Sequence, residues 1–186
     1  MNKKDIPNLI SIGRIALVVP VVYCLLTQHY DKALWLFVIA GISDALDGFI
    51  AKHYHYESRL GSILDPLADK LLLVSSFASL TYLGLIPYWL LWLVFARDLI
   101  IILGGISYHY CYGRFTLVPV WSSKINTVLQ VLFVVLVISA QLITIVSMEW
   151  VHYMAYMVML SVMISGVEYI IIWGKKAWQQ HKTPPI

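Results

Sequence analysis

Four aspartates stand close together in the stretch SDALDGFIAKHYHYESRLGSILDPLADK, residues 43–70, of an otherwise apolar chain. Asp44 and Asp47 are three residues apart, and Asp65 and Asp69 are four apart, so on helices the members of each pair share a face. The chain reverses between the two pairs across a short polar connection. Two antiparallel helices can therefore direct all four carboxylates into one small volume.

Such a cluster of carboxylates needs compensation inside an apolar chain. One acid at the centre of a membrane costs roughly 2.5–3.5 kcal/mol, and four like charges also repel one another. Protonation, pairing with basic residues or cation binding would each relieve that cost. The basic residues nearest in sequence, Lys52, Arg59 and Lys70, are too few and partly at the wrong helical phase to neutralise four acids. Carboxylate oxygens suit hard cations, so the pattern predicts a divalent site for Mg²⁺, Mn²⁺ or Ca²⁺.

The simpler interpretation is that acids at helix ends are solvated or paired with neighbouring bases. That explanation is adequate for either pair alone. It is weaker for two pairs across one hairpin, with the small residues Gly48 and Ala51 one turn beyond the first pair. Small residues there let a ligand or a second backbone approach closely. The combination favours a ligand site over a solvated helix end.

The composition places these acids in a membrane protein. The chain has 186 residues, of which 60% are hydrophobic and 12% charged, with a mean hydropathy of +0.79. A soluble domain of this length cannot bury so much apolar surface. The formal net charge of +3, without a basic run, gives no support for nucleic-acid binding. Cys24 and Cys111 lack the spacing of a disulfide framework, and we expect both to be packing residues.

Six apolar stretches are long enough to cross a membrane as helices. The connections between them are short and polar, which predicts one all-α domain of six transmembrane helices over residues 1–186. The predicted spans are Ile6–Gln28, Lys32–Ala51, Leu60–Leu83, Pro87–Cys111, Ser122–Val146 and Trp150–Trp173.

The distribution of Lys and Arg predicts the orientation, since these residues favour the cytoplasmic side. If both termini are cytoplasmic, the cytoplasmic side holds every Lys and Arg that flanks the spans except Lys32. That set is Lys3, Lys4, Lys52, Arg59, Arg114, Lys124, Lys175, Lys176 and Lys182. The start MNKKDIPNLI shows neither a signal peptide nor an organellar presequence. We therefore expect a multi-pass protein of the bacterial cytoplasmic membrane with the acidic site facing the cytoplasm.

The acidic stretch resembles the signature of the CDP-alcohol phosphatidyltransferases. It reads D-x-x-D-G-x-x-A-K, eight residues, then G-x-x-x-D-x-x-x-D, from Asp44 to Asp69. It departs from the family pattern at Lys52, where the family usually has arginine. Lysine keeps the charge but lacks the bidentate fork that arginine offers to phosphate oxygens. The six-helix plan also matches this family.

The resemblance implies an enzyme of phospholipid biosynthesis that transfers a phosphatidyl group from CDP-diacylglycerol to an alcohol and releases CMP. It implies that Asp44, Asp47, Asp65 and Asp69 bind Mg²⁺ or Mn²⁺, and that Asp69 also deprotonates the acceptor hydroxyl. By the same resemblance, the nucleotide contacts Gly48, Ala51, Lys52 and Gly61. Family analogy also suggests a homodimer.

The remaining charged and polar residues inside apolar segments are candidates for acceptor binding: Arg14, Arg97, Lys124 and Asn126. Two alternatives stay open. Arg97 and Asp98 could instead form structural ion pairs with other helices, and Lys124 could be a snorkelling anchor at the membrane face.

The identity of the acceptor rests on a few motifs. The N-terminal IPN…R…P pattern resembles the branch of the family that contains the phosphatidylglycerophosphate synthases and the eukaryotic-type cardiolipin synthases. The former tend to carry K-x-K-T in helix 5, where this chain has Lys124 followed by Asn126. Glycerol 3-phosphate carries a dianionic phosphate and needs more cationic donors than phosphatidylglycerol does. The resemblance therefore favours phosphatidylglycerol, giving cardiolipin, with glycerol 3-phosphate as the alternative.

Two other classes compete with the enzyme. A transporter for divalent ions would place acids through the membrane depth on several helices. A non-catalytic membrane scaffold would not need four acids at fixed spacing. The crowding of the acids in one hairpin favours the enzyme.

Overall fold

A computed structural model describes residues 6–54, 61–112, 120–143 and 146–182, with side chains over a smaller part of these ranges. The described residues form six helices. They are α1 (Ile6–Leu26), α2 (Tyr30–Tyr54), α3 (Gly61–Tyr82), α4 (Tyr88–Tyr112), α5 (Trp121–Leu142) and α6 (Met148–Lys182).

The predicted all-α, six-helix fold is confirmed, and the chain is a multi-pass membrane protein. Within the described residues, α4, α5 and α6 each carry an apolar stretch long enough to span a membrane, and α1 carries a shorter one, Ile12–Leu26. The helix ends differ from the predicted spans most clearly in α6. This helix continues to Lys182, beyond its apolar stretch, which ends at Gly174. The prediction followed hydrophobicity and therefore located only the apolar part of this helix. The backbone stays helical through the polar residues that follow, because helical hydrogen bonds do not require apolar side chains.

The chain divides into two compact units. The first unit contains residues 1–87 and 134–151, and the second contains residues 88–133 and 152–186. In the first unit α1 packs against both α2 and α3. Buried apolar side chains such as Leu25, Phe37 and Phe77 form the core there. These contacts fix the α1 side chains relative to the acidic residues of α2 and α3.

The ends of α1 and α3 share one capping arrangement, which turns the chain sharply. After α1, Gln28 N–H donates to the Leu25 carbonyl and His29 N–H donates to the Cys24 carbonyl. This Schellman pattern requires a left-handed residue, and Gln28 adopts a φ of 57°. Gly84 fills the same position after α3 with a φ of 74°. Both helices therefore end in the same kind of tight turn.

Candidate active site

A buried arginine lies between two of the four aspartates that were predicted to bind metal. Arg14 on α1 is only 1% exposed. Its Nη1 lies 2.8 Å from Oδ1 of Asp44 on α2 and 2.5 Å from Oδ1 of Asp69 on α3. Each of the first three helices therefore supplies one member of this trio.

The packing of the first unit explains why these three side chains meet. A buried guanidinium without counter-charges would be strongly destabilising, so α1 is stable in this position only if acids face Arg14. Oδ1 of Asp44 and Oδ1 of Asp69 both contact Nη1 of Arg14, so the distance between these two oxygens is at most the sum of the two contact distances. The trio cross-links α1, α2 and α3.

The trio leaves the side chains of the two aspartates partly accessible. The side chains of Asp44 and Asp69 are 42% and 43% exposed, although Arg14 is buried. By formal charge, one arginine offsets one of the two carboxylates. Partly exposed carboxylate oxygens at close range are donors that Mg²⁺ and Mn²⁺ prefer. The two aspartates are therefore suitable as two of the ligands of a divalent-cation site.

The other predicted metal and nucleotide residues lie in the same two helices but outside the described side chains. Asp47, Gly48, Ala51 and Lys52 fall on α2, and Gly61 and Asp65 fall on α3. Among the side chains that the structure describes, no three metal-ligating residues converge. The structure thus brings together Asp44 and Asp69, and the four-aspartate site stays a prediction.

The position of Arg14 was not foreseen from the sequence. Its place in an apolar segment predicts acceptor binding, and it lies far in sequence from the four acids, unlike Lys52, Arg59 and Lys70. The signal in the sequence was the place of Arg14 inside an apolar helix, because an arginine there needs acidic residues on the neighbouring helices. Its acceptor-binding role stays a prediction, whereas its contacts with Asp44 and Asp69 are observed.

A second buried polar cluster surrounds Arg97 in the second unit. Arg97 Nη1 donates to Asp98 Oδ1 at 2.8 Å, and Nη2 donates to the hydroxyls of Ser123 and Ser165 at 2.7 Å each. The guanidinium carbon lies 5.9 Å from the centre of the Tyr169 ring. These contacts tie α4 to α5 and to α6.

The Arg97 contacts bear on the alternatives left open by the sequence. Arg97 and Asp98 do form an ion pair, but it joins neighbours on one helix, and the links to other helices come from serines. Arg97 is 5% exposed and already donates to three oxygens. It holds the second unit together, and its contact with an acceptor stays a prediction.

Lys124 and Asn126 lie in different surroundings on α5. Lys124 is exposed, with its Nζ 5.0 Å from the centre of the Trp121 ring. Asn126 is fully buried, and its Oδ1 accepts a hydrogen bond from the Ser161 hydroxyl of α6 at 2.8 Å. Lys124 therefore carries an exposed charge, whereas Asn126, two residues later, is a neutral amide buried between α5 and α6.

Residues 4–176 match the family model described as CDP-alcohol phosphatidyltransferase. The chain belongs to this family. The match includes α1 to α5, most of α6, and the trio of Arg14, Asp44 and Asp69. It gives the acidic residues of α2 and α3 a family context that the two described aspartates alone do not supply.

The chain is also similar to named members of this family. It is 38% identical over 149 residues to a cardiolipin synthase (CMP-forming) of Rattus norvegicus, covering 72% of this chain and 49% of the relative. It is 37% identical to the corresponding protein of Homo sapiens, covering 72% and 50%. The chain thus spans about half the length of these two relatives.

A bacterial relative has a different name. Over 123 residues the chain is 35% identical to a CDP-diacylglycerol–glycerol-3-phosphate 3-phosphatidyltransferase of Aquifex aeolicus. That similarity covers 60% of this chain and 68% of the relative. The names of these relatives therefore differ: the rat and human proteins are named for cardiolipin synthesis with formation of CMP, and the Aquifex protein is named for phosphatidyl transfer between CDP-diacylglycerol and glycerol 3-phosphate.

Proposed function

We propose that this protein transfers the phosphatidyl group of CDP-diacylglycerol to phosphatidylglycerol, giving cardiolipin and CMP. The observation that carries the proposal is the meeting of Asp44 and Asp69 at Arg14, at two aspartate positions of the family signature. A rival transporter would not need two carboxylates anchored side by side by one buried arginine.

In this proposal the four aspartates Asp44, Asp47, Asp65 and Asp69 hold Mg²⁺ or Mn²⁺ against the diphosphate of the substrate. A divalent cation held by these aspartates would supply neutralisation of the charge that develops on the departing CMP. Asp69 accepts the proton of the acceptor hydroxyl. The hydroxyl oxygen then forms a bond to the phosphorus of the phosphatidyl group as the bond between that phosphorus and CMP breaks.

In this scheme other residues of the first three helices either position the aspartates or make room for the nucleotide and bind it. Arg14 keeps the carboxylates of Asp44 and Asp69 in place through its two ion pairs. Gly48, Ala51 and Gly61 leave room for the nucleotide, and Lys52 offers a positive charge to its phosphates. Fixed geometry of this kind supplies much of the acceleration in phosphoryl-type transfer.

Two observations favour phosphatidylglycerol as the acceptor. The rat and human relatives carry the name cardiolipin synthase, and Asn126 places a buried neutral amide where a second cationic residue would suit glycerol 3-phosphate. In this proposal Arg97, Lys124 and Asn126 bind the acceptor. Glycerol 3-phosphate is the second candidate, supported by the name of the Aquifex relative.

The cellular setting is part of the proposal. We place the protein in a bacterial cytoplasmic membrane as a homodimer, with both termini and the acidic site on the cytoplasmic side. The asymmetric distribution of Lys and Arg supports this orientation.

The acceptor is tested directly by product formation. Purified protein in mixed micelles receives CDP-diacylglycerol and Mn²⁺ with either phosphatidylglycerol or glycerol 3-phosphate. We expect CMP and cardiolipin with phosphatidylglycerol, detected by chromatography and mass spectrometry. Formation of phosphatidylglycerophosphate from glycerol 3-phosphate, without cardiolipin from phosphatidylglycerol, would instead establish the second candidate.

A further inference from the structure

Two buried arginines of this chain hold their acidic partners in different ways. Arg97 pairs with Asp98, and the side chains of both are nearly closed off, at 5% and 8% exposure. Arg14 contacts two acids, Asp44 and Asp69, whose side chains stay 42% and 43% exposed. By formal charge Arg97 and Asp98 are balanced, whereas Arg14 offsets only one of its two carboxylates. The acids at Arg14 are therefore accessible to a second cation in a way that Asp98 is not.

Arg14 contacts carboxylate oxygens of the kind that bind divalent ions. Its Nη1 lies 2.8 Å from Oδ1 of Asp44 and 2.5 Å from Oδ1 of Asp69, so one positive group bridges acids of α2 and α3. Carboxylate oxygens are also the ligands that Mg²⁺ and Mn²⁺ prefer. A divalent cation held by either aspartate therefore shares that carboxylate with Arg14.

The burial of Arg14 makes its charge effective at this site. Arg14 is 1% exposed, so water and dissolved salt screen its charge less than that of a surface arginine. Two cations on one carboxylate repel each other, and this repulsion lowers the affinity for the second cation. Without metal the same guanidinium is stabilising, because two close carboxylates without a cation would repel one another. Arg14 thus favours the metal-free protein over the metal-bound one.

We propose that Arg14 serves as the cation of the metal-free site and thereby lowers the affinity of Asp44 and Asp69 for divalent ions. This inference rests on the proposed function, which takes both aspartates as cation ligands, and it adds a residue that tunes the cation affinity. Arg14 acts through the two carboxylates. If it only held them in position, its loss would weaken cation binding, so the two roles predict changes of opposite sign.

The affinity of the purified, substrate-free protein for Mn²⁺ tests this assignment, with the free ion measured by electron paramagnetic resonance. Arg14→Met removes the charge, and we expect Mn²⁺ to bind about tenfold more tightly or better than to the wild type. Arg14→Gln, which is uncharged but still donates hydrogen bonds, should show the same increase and serves if Arg14→Met does not fold. Arg14→Lys keeps the charge and is the matched control, with an affinity within about threefold of the wild type.

Thermal unfolding gives a second readout that a purely structural arginine would not change. A ligand that binds the folded state stabilises it by mass action. Mn²⁺ is therefore expected to raise the unfolding temperature of Arg14→Met more than that of the wild type. Arg97→Met also removes a buried arginine, but Mn²⁺ should shift its unfolding temperature only as much as that of the wild type.

Two results would overturn the role of Arg14. One is an affinity for Mn²⁺ in the uncharged variants that equals or falls below the wild-type value. The other is binding in Arg14→Lys that is as tight as in Arg14→Met, because the charge would then not be the cause.

CMP release separates this inference from the proposed transfer. If the wild type binds Mn²⁺ but releases no CMP with either acceptor, the proposed transfer fails, while the affinities of the Arg14 variants still decide the role of this residue. If the wild type binds no Mn²⁺ at millimolar concentration, the inference fails together with the proposed cation site.

Discussion

Asp69→Asn is expected to reduce CMP release by about 10²–10⁴-fold, the usual contribution of a general base. Asparagine has nearly the same shape and can still accept the hydrogen bond from Arg14, so α1 and α3 stay linked. It cannot take the proton of the acceptor hydroxyl, and it is a poorer cation ligand than a carboxylate. The measurement is the initial rate of CMP formation from CDP-diacylglycerol and phosphatidylglycerol at saturating Mn²⁺.

Asp31→Asn is the matched control for this change. Asp31 is an exposed acid in the first turn of α2 and lies outside the acidic stretch. This variant should retain wild-type rates. Full transfer activity in Asp69→Asn would remove Asp69 from the proposed chemistry.

Arg14→Met is expected to lower both stability and activity. Removing one partner of a buried ion pair costs about 3–5 kcal/mol, and the lower end applies because Asp44 and Asp69 are partly exposed. The unfolding temperature of the metal-free protein should fall by roughly 6–12 °C. Transfer should also slow, since the two carboxylates lose the contact that holds them side by side.

Arg14→Lys separates charge from geometry at the same position. Lysine keeps the positive charge but is shorter and lacks the planar fork of arginine. We expect it to recover part of the stability lost in Arg14→Met while transfer remains slow. If Arg14→Met unfolds at the wild-type temperature and transfers at the wild-type rate, the trio has no role in either property.

The sequence predicted the features that depend on local pattern. Hydrophobic length and polar connections were sufficient for six helices, because each span must satisfy its own backbone within an apolar surrounding. Residue spacing was sufficient to place Asp44 on one helix and Asp69 on the next. The structure confirms these helices and brings the two aspartates together at Arg14.

The features that the sequence did not predict depend on how helices rotate against one another. Arg14 faces Asp44 and Asp69 because α1 packs on both α2 and α3, and nothing local to Arg14 specifies that contact. Arg97 likewise binds serines on two other helices, 26 and 68 residues away in sequence. Such pairs are set by tertiary packing, which hydrophobic periodicity alone does not determine in helices that are apolar on most faces.

We propose above that the acidic residues of α2 and α3 form a cation-dependent phosphatidyltransferase site. Its most direct test is CMP release from CDP-diacylglycerol and phosphatidylglycerol by protein stripped of divalent ions with EDTA, before and after addition of Mg²⁺ or Mn²⁺. We expect no measurable CMP release by the stripped protein and recovery of the rate when either ion is added back. Release at an unchanged rate in the presence of EDTA would contradict it.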